Sequence, residues 1–335
     1  MMKKITLLFC LGLIFACERA YDENEFLGNS LNDQFGELKF STPLSASGLE
    51  YNFIQVSQYN FNATWSKNAN YELRIIGENS NAIKSYTGYD NSLNADNSIW
   101  RGEANDFPSF KEESCQVILS VSDLDTTIYD TLNIYINETK PMQPGVYIIQ
   151  DFENIDQATL MQNSFVQFGA NMDFNIQNDF AAQGQNYFRM RGEMTWNEWF
   201  LGNLVLDIDE AQTLPNLTPS TTYFNIAVVG SRQELFPEDQ FLEIVIRETD
   251  GDEFRTQIRP IEWSSWRNFS IPYSEFESGS DIAIKETNKI NQIEILCLSC
   301  PGVVGSQGGC VNNQGVLVTT DIDFISFTEN EPYQP

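Results

Sequence analysis

From Leu38 to Phe327 apolar and polar residues alternate in short runs, the period of a strand with one buried face, because successive side chains on an extended backbone point to opposite sides. In the first part of the chain the clearest runs are Tyr71-Glu72-Leu73-Arg74-Ile75, Cys115-Gln116-Val117-Ile118-Leu119-Ser120-Val121 and Leu132-Asn133-Ile134-Tyr135-Ile136. No long segment with a 3.6-residue period competes with them, and polar gaps such as Tyr89 to Asn97 read as loops. Strands with one apolar face bury it by packing sheet on sheet, so about a hundred residues of this kind predict a β-sandwich.

The pattern breaks at Glu138-Thr139-Lys140-Pro141-Met142-Gln143-Pro144-Gly145, where two prolines and a glycine stop a ladder. It resumes at Val146-Tyr147-Ile148-Ile149 and continues through Asn186 to Gly192, Phe241 to Arg247 and Asp321 to Phe327. Between two of these runs, Thr249-Asp250-Gly251-Asp252 predicts a tight hairpin turn, since Asp-Gly readily takes the positive φ it needs. The expected organisation is a leader at 1–16, a tether at 17–36, a first sandwich at 37–138, a linker at 139–145, a second β domain at 146–330 and a tail at 331–335.

Composition narrows the function. The chain has no histidine, which removes Ser-His-Asp and Cys-His catalysis and imidazole metal ligands together. A net charge of -28 repels phosphate backbones, so nucleic acid is excluded as a partner. Aromatics at 13% still suffice for packed cores. At the start, Lys3 and Lys4 precede an apolar run, Ile5 to Ala16, that is too short to span a bilayer and reads as an export signal.

That run ends in Ile14-Phe15-Ala16-Cys17, which resembles a bacterial lipobox. The resemblance implies that Cys17 becomes the lipidated first residue and anchors the protein to a membrane. The acidic stretch Glu18 to Glu25 resembles signals that send lipoproteins to the outer face of the outer membrane, so cell-surface exposure is expected.

Two further resemblances concern the folded parts. Gly88, Trp100-Arg101-Gly102, Phe110 and Glu113 ahead of the Cys115 strand resemble Ig-like modules of bacterial surface lipoproteins. Asp151-Phe152-Glu153, the segment Trp266 to Phe276, and Asp323-Phe324-Ile325-Ser326-Phe327 resemble the galactose-binding-like jelly rolls of carbohydrate-binding modules and of complex I intermediate-associated proteins. The implied architecture is all-β, an Ig-like β-sandwich followed by a jelly roll, with Trp266 and Phe269 as packing residues. The resemblance also implies a structural Ca2+ held by Asp151, Glu153 and Asp323; such domains often carry two consecutive acids where this chain has Asp323 followed by Phe324. Solvated acids at strand edges are the simpler alternative.

Four cysteines remain beyond the leader and Cys17. Cys297 and Cys300 have the spacing of a metal pair, but without histidine a disulfide is the better reading in an oxidising compartment. Cys300 to Cys310 is the expected pair, Cys297 to Cys310 the competitor, and Cys115 a buried thiol. Trp196-Asn197-Glu198-Trp199 can stack on sugar rings while its polar members bond hydroxyls, with Trp263 a weaker candidate.

Arg189, Arg191, Arg247, Arg255 and Arg259 all lie in predicted strands. If those strands are neighbours in one sheet they form a basic stripe for an anionic glycan, with Arg189, Arg191, Arg255 and Arg259 as the contacts, unless Glu193 and Glu243 neutralise it. The expected function is non-catalytic capture of a polysaccharide at the cell surface for a glycan uptake system, beside an outer-membrane transporter. A polysaccharide-degrading hydrolase or lyase, or an accessory lipoprotein binding a protein, are the alternatives.

Overall fold

The computed structural model describes residues 36–167, 171–193, 200–210, 212–230, 240–279, 284–299 and 317–335. The first lobe carries β1 (Phe40–Ala46), β2 (Glu50–Asn52), β3 (Phe61–Gly77), β4 (Ile83–Leu93), β5 (Ser114–Ser122) and β6 (Thr127–Glu138). They form one hydrogen-bonded sheet in the order β1-β3-β5-β6-β2, with β4 on β3. The long β3 organises it: its early residues, Phe61 to Trp65, pair with β1, and Asn70 to Gly77 pair with β5. The alternating side chains Tyr71, Leu73, Ile75, Val117, Leu119 and Val121 meet in one core with Tyr51, Phe61 and Trp100.

Tyr89 to Leu93 is strand rather than the expected loop: it completes β4, which among the described residues pairs only with β3. An edge strand buries little, so its polar sequence hides a ladder held by backbone bonds. Beyond it, Asn94 to Asn97 form a turn. On the side of this lobe that faces the second part of the chain, the buried Glu113 gathers the amides of Asn79, Ser80 and Lys111 and the Ser80 hydroxyl, fixing the β3–β4 turn against β5.

The second lobe begins with β7 (Val146–Gln150), the one-turn helix α1 (Gln157–Leu160), β8 (Phe165–Val166), β9 (Met172–Gln177), β10 (Tyr187–Glu193) and β11 (Phe200–Asp207). It continues with β12 (Thr222–Val229), β13 (Gln240–Glu248), β14 (Glu253–Ile258), β15 (Arg267–Pro272), β16 (Glu277–Ser278), β17 (Ile290–Ser299) and β18 (Leu317–Glu329). Two six-stranded sheets result. The front sheet runs β15-β12-β18-β10-β9 with β7 on β18, and the back sheet runs β16-β14-β13-β17-β11-β8. Their facing side chains, among them Phe188, Met190, Phe224, Ile244, Ile295 and Ile322, make one sandwich core of jelly-roll type. The β13–β14 turn forms as expected, with Gly251 at φ +93.

One bulge matters for the site. The β12–β18 register shifts between Asn225 and Ala227, and opposite it Phe324 has φ 46. The shift changes the parity of β18: Ile322 and Ile325 face the sandwich core, whereas Phe324 turns to the opposite side. There it joins a second cluster with Trp266, Tyr187, Phe107 of the first lobe and Tyr333.

The two lobes are therefore in direct contact. The Tyr333 ring lies 4.5 Å from that of Phe324 and 5.8 Å from that of Phe107. Hydrogen bonds surround the cluster: Ser109 N–H to the Ala182 carbonyl at 3.0 Å, Asn268 N–H to Asp106 Oδ1 at 2.6 Å, and Ala104 N–H to the Pro335 carbonyl at 2.8 Å. Lys140 Nζ donates to the Pro335 carbonyl at 3.1 Å. Residues 331–335, expected as a tail, are thus part of the junction, with Tyr333 only 5% exposed. Among the described residues, no helix is long and apolar enough to cross a membrane.

Candidate functional site

The outer face of the front sheet is divided. One part of it lies under the first lobe and residues 331–335; another part is an open groove of about 480 Å3. Strand alternation builds the groove, because Phe174, Met190 and Val318 point into the core and their neighbours point out. β9 supplies Asp173, Asn175 and Gln177, and β10 supplies Arg189 and Arg191. The register sets Asn175 opposite Arg189 and Asp173 opposite Arg191. Amides therefore stand beside guanidinium groups on adjacent strands.

Arg189 is held. Its Nε and Nη2 each donate to a carboxylate oxygen of fully buried Asp321 at 2.9 Å, and its guanidinium lies 5.2 Å from the Tyr187 ring centre. These bonds keep Arg189 even more firmly protonated than usual. Gln177 Nε2 donates to Asn175 Oδ1 at 2.6 Å, which orients both amides. Arg191 is exposed and makes no ion pair among the described residues. The groove thus presents fixed donors and acceptors to a ligand rich in hydroxyl groups.

The residues expected to hold Ca2+ do not fit that ion. Asp323 Oδ2 accepts the amides of Ala182 (2.9 Å) and Gln183 (3.0 Å), and Oδ1 accepts that of Phe324 (2.7 Å). Glu153 Oε1 accepts the amides of Gln185 (2.7 Å) and Asn186 (2.8 Å), and Asp151 Oδ1 that of Glu153 (3.1 Å). Convergent N–H dipoles repel a cation, which needs six to eight oxygens, and no group of three or more ligating acids or cysteines occurs among the described residues. The carboxylates instead tie down the segment between β9 and β10. Burial pushes Asp323 well above the usual aspartate range.

The single basic stripe does not form, because its strands belong to different sheets. Arg189 and Arg191 lie on the front sheet, whereas Arg255 is on the back sheet beside Arg247. There Arg255 bridges Glu243 (2.7 Å) and Glu253 (2.8 Å), and Arg247 bridges Glu253 (2.7 Å) and Glu294 (2.6 Å). Arg259, just past β14, lies 4.6 Å from the Phe241 ring centre. Neutralisation by Glu243, the alternative reading, is what the back sheet shows.

Trp263 sits in the core, 9% exposed, donating its indole N–H to the Val228 carbonyl at 3.0 Å with the Arg267 guanidinium over its ring. Trp196, Trp199, Cys17, Cys300 and Cys310 lie outside the described residues. Cys297 is a free, buried thiol among the described residues, and burial pushes it up to about 12. Cys115 is a free buried thiol, as read from its strand.

Sequence reasoning missed the groove amides Asn175 and Gln177. The signal was there: Met172-Asp173-Phe174-Asn175-Ile176-Gln177 alternates perfectly, and its polar members share one face.

No protein-family model matches the chain, and no curated protein matches it. Solved structures do resemble its course. A family 11 carbohydrate-binding module from Clostridium thermocellum, in complex with a β-1,3-1,4-mixed-linked tetrasaccharide, is 15% identical over 56% of this chain and 98% of its own, with a TM-score of 0.36. SGBP-B from a xyloglucan utilization locus of Bacteroides uniformis is 11% identical over 87% of this chain and 73% of its own, at 0.39. An exo-β-agarase is 11% identical over 56% of this chain and 26% of its own, at 0.34. The neighbours thus include both binding modules and enzymes.

Proposed function

We propose that the protein captures a polysaccharide in the front-sheet groove without turning it over. The observation that carries this reading is the groove itself: an open, amide-lined face on rigid strands, with its polar groups oriented by one another and by the buried Asp321. Such a surface suits a chain of hydroxylated rings better than a small metabolite, which needs an enclosing pocket. Arg189 and Arg191 are matched in the groove by Asp173 and Glu193, so it offers no net positive field and favours a neutral polymer over an anionic one.

Catalysis is the less favoured reading. Among the described residues, the carboxyl groups that burial pushes up, Asp106, Glu248 and Asp323, each accept backbone amides in structural positions: Asp106 from Asn268, Glu248 from Glu286 and Asp323 from Ala182. A glycosidase needs two carboxyl groups facing a scissile bond across a cleft. Lipidation at Cys17 would hold the groove at the cell surface, where capture raises the concentration of polymer beside a transporter.

The test is a panel of xyloglucan, mixed-linkage β-glucan, agarose and a uronate polymer. Binding is read by affinity electrophoresis and cleavage by release of reducing ends. Retarded migration on a neutral polymer without new reducing ends is expected. Release of reducing ends overturns the capture reading, and tight binding to the uronate polymer alone overturns the neutral one. Fractionation of cells carrying Cys17→Ala should move the protein from the membrane to the soluble fraction.

A further inference from the structure

The first lobe reaches the end of the groove. β9 ends at Gln177, which lines the groove, and the next residue, Asn178, lines a second cavity of about 330 Å3 at the lobe junction. Arg189 couples the two, since its Nη2 lies 3.9 Å from Oδ1 of Asp179, a wall residue of the second cavity. The opposite wall belongs to the first lobe: Asn79 and Asn81 from the turn pinned by Glu113, and Lys111. Phe180 adds a ring backed by Trp266, at 6.0 Å and 20°.

Three observations mark this cavity as more than a seam between lobes. Its walls are almost wholly amide, hydroxyl and charged groups around one aromatic ring, the mixture that recognises pyranoses. Lys111 makes no ion pair among the described residues, in a protein of charge -28 where acids are abundant. Beside it, in an adjoining cavity that Lys111 and Gln185 also line, Ser109 Oγ and Gln183 Oε1 are buried with no hydrogen-bond partner among the described residues. Buried polar atoms are ordinarily paired, so these two call for a polar partner.

Resting on the glycan reading above, we propose that one extended polysaccharide chain runs along β9 from the front-sheet groove into the lobe junction, where Asn79 and Lys111 of the first lobe and Asn178 and Gln185 of the second contact it. The first lobe is then half of the binding site as well as a spacer. The six residues of β9 give the groove about 20 Å of length at the strand rise of roughly 3.3 Å per residue. A short oligosaccharide can occupy it without entering the junction; a polymer continues past Asn178.

The experiment uses the full chain and two probes in two lengths: xyloglucan and mixed-linkage β-glucan, each as polymer and as tetrasaccharide-sized fragment, titrated calorimetrically. Asn79→Ala with Lys111→Ala removes side chains at the cavity wall and leaves the backbone bonds of both residues to Glu113. This variant should bind the polymer about tenfold more weakly, as expected for two lost hydrogen bonds, and the fragment as the parent does. Asn175→Ala in the groove should weaken both. If the junction variant holds the polymer as tightly as the parent while Asn175→Ala loses it, the lobe-spanning path is wrong and the groove reading stands. If the parent binds neither probe at either length, the glycan reading fails and the path with it. Unchanged melting of both variants confirms that binding alone is being read.

Discussion

The two outer faces of the second lobe carry the same residue types at the same strand spacing, yet they differ in what those residues are free to do. On the back sheet Arg247 and Arg255 interlock with Glu243, Glu253 and Glu294 in a solvent-facing lattice, and the arginines hold Glu253 below the usual carboxylate range. On the front sheet the acids Asp321 and Asp323 are buried and the first lobe covers part of the face. Arg191 projects into what remains open. Arginine content therefore does not mark a site. What distinguishes one is a polar group whose partners are supplied from below and whose outer side stays open.

Four measurements would break or sharpen this contrast. The largest effect belongs to the covered part of the front face: Phe107→Ala empties the junction cluster and should cost about 3–5 kcal/mol, the usual range for a buried phenylalanine. Calorimetry should show a lower or divided transition; a melting curve like the parent's would mean the lobes do not depend on that contact. Glu253→Gln on the back face is its control.

Next is Asp323→Ala, which strands three backbone amides and should cost about 2–3 kcal/mol, partly offset by removing a buried acid. The pH dependence is diagnostic. Because Asp323 is raised in the folded state, the folded protein binds more protons than the unfolded chain above the ordinary aspartate value of about 3.9. Stability from this group is present below that value and lost as pH rises through the folded one. Denaturant titrations across pH 4 to 7 should show a downward slope in the parent that Asp323→Ala reduces; identical slopes would exclude a raised acid.

Smaller still, Arg191→Ala should weaken polysaccharide binding by about tenfold, or ~1.4 kcal/mol, with melting unchanged, while Arg255→Ala leaves binding unaffected. Equal losses from both would erase the distinction between the faces. The smallest effect is Glu253→Gln, at most about 1 kcal/mol and shrinking with added salt, because Arg255 is exposed and Arg247 and Glu253 are only partly buried.

Much of this was legible in the sequence. Alternation identified β3, β5, β13 and β18, Asp-Gly identified the hairpin, and Trp266 was read as core and is 1% exposed. Which strands share a sheet was not legible: β10 and β14 both carry arginine beside a core-facing phenylalanine, and only tertiary packing sends them to opposite sheets. Trp263 reads as a candidate stacking residue because the carbonyl that takes its indole N–H belongs to Val228, on a strand distant in sequence. Phe107 and Tyr333 sit in aperiodic stretches, and their burial exists only because another part of the chain arrives to cover them. The groove amides were legible in principle, since Asn175 and Gln177 share the polar face of the alternating run Met172 to Gln177.

The change of parity in β18 has a consequence in time. This strand lies between β12 and β10 at the centre of the front sheet, and on either side of its bulge it feeds the sandwich core and the junction cluster. A chain delivered from its N-terminus first presents the first lobe complete, with every strand of its sheet in hand by Glu138. The second lobe must wait, its front sheet split in two, until the residues after Leu317 arrive. Neither closure of the sandwich nor docking of the lobes can be completed before then. Until that moment β10 and β12 expose unpaired edges to any neighbouring chain, so the interval between delivery of Val229 and of Leu317 is when this protein is most open to aggregation.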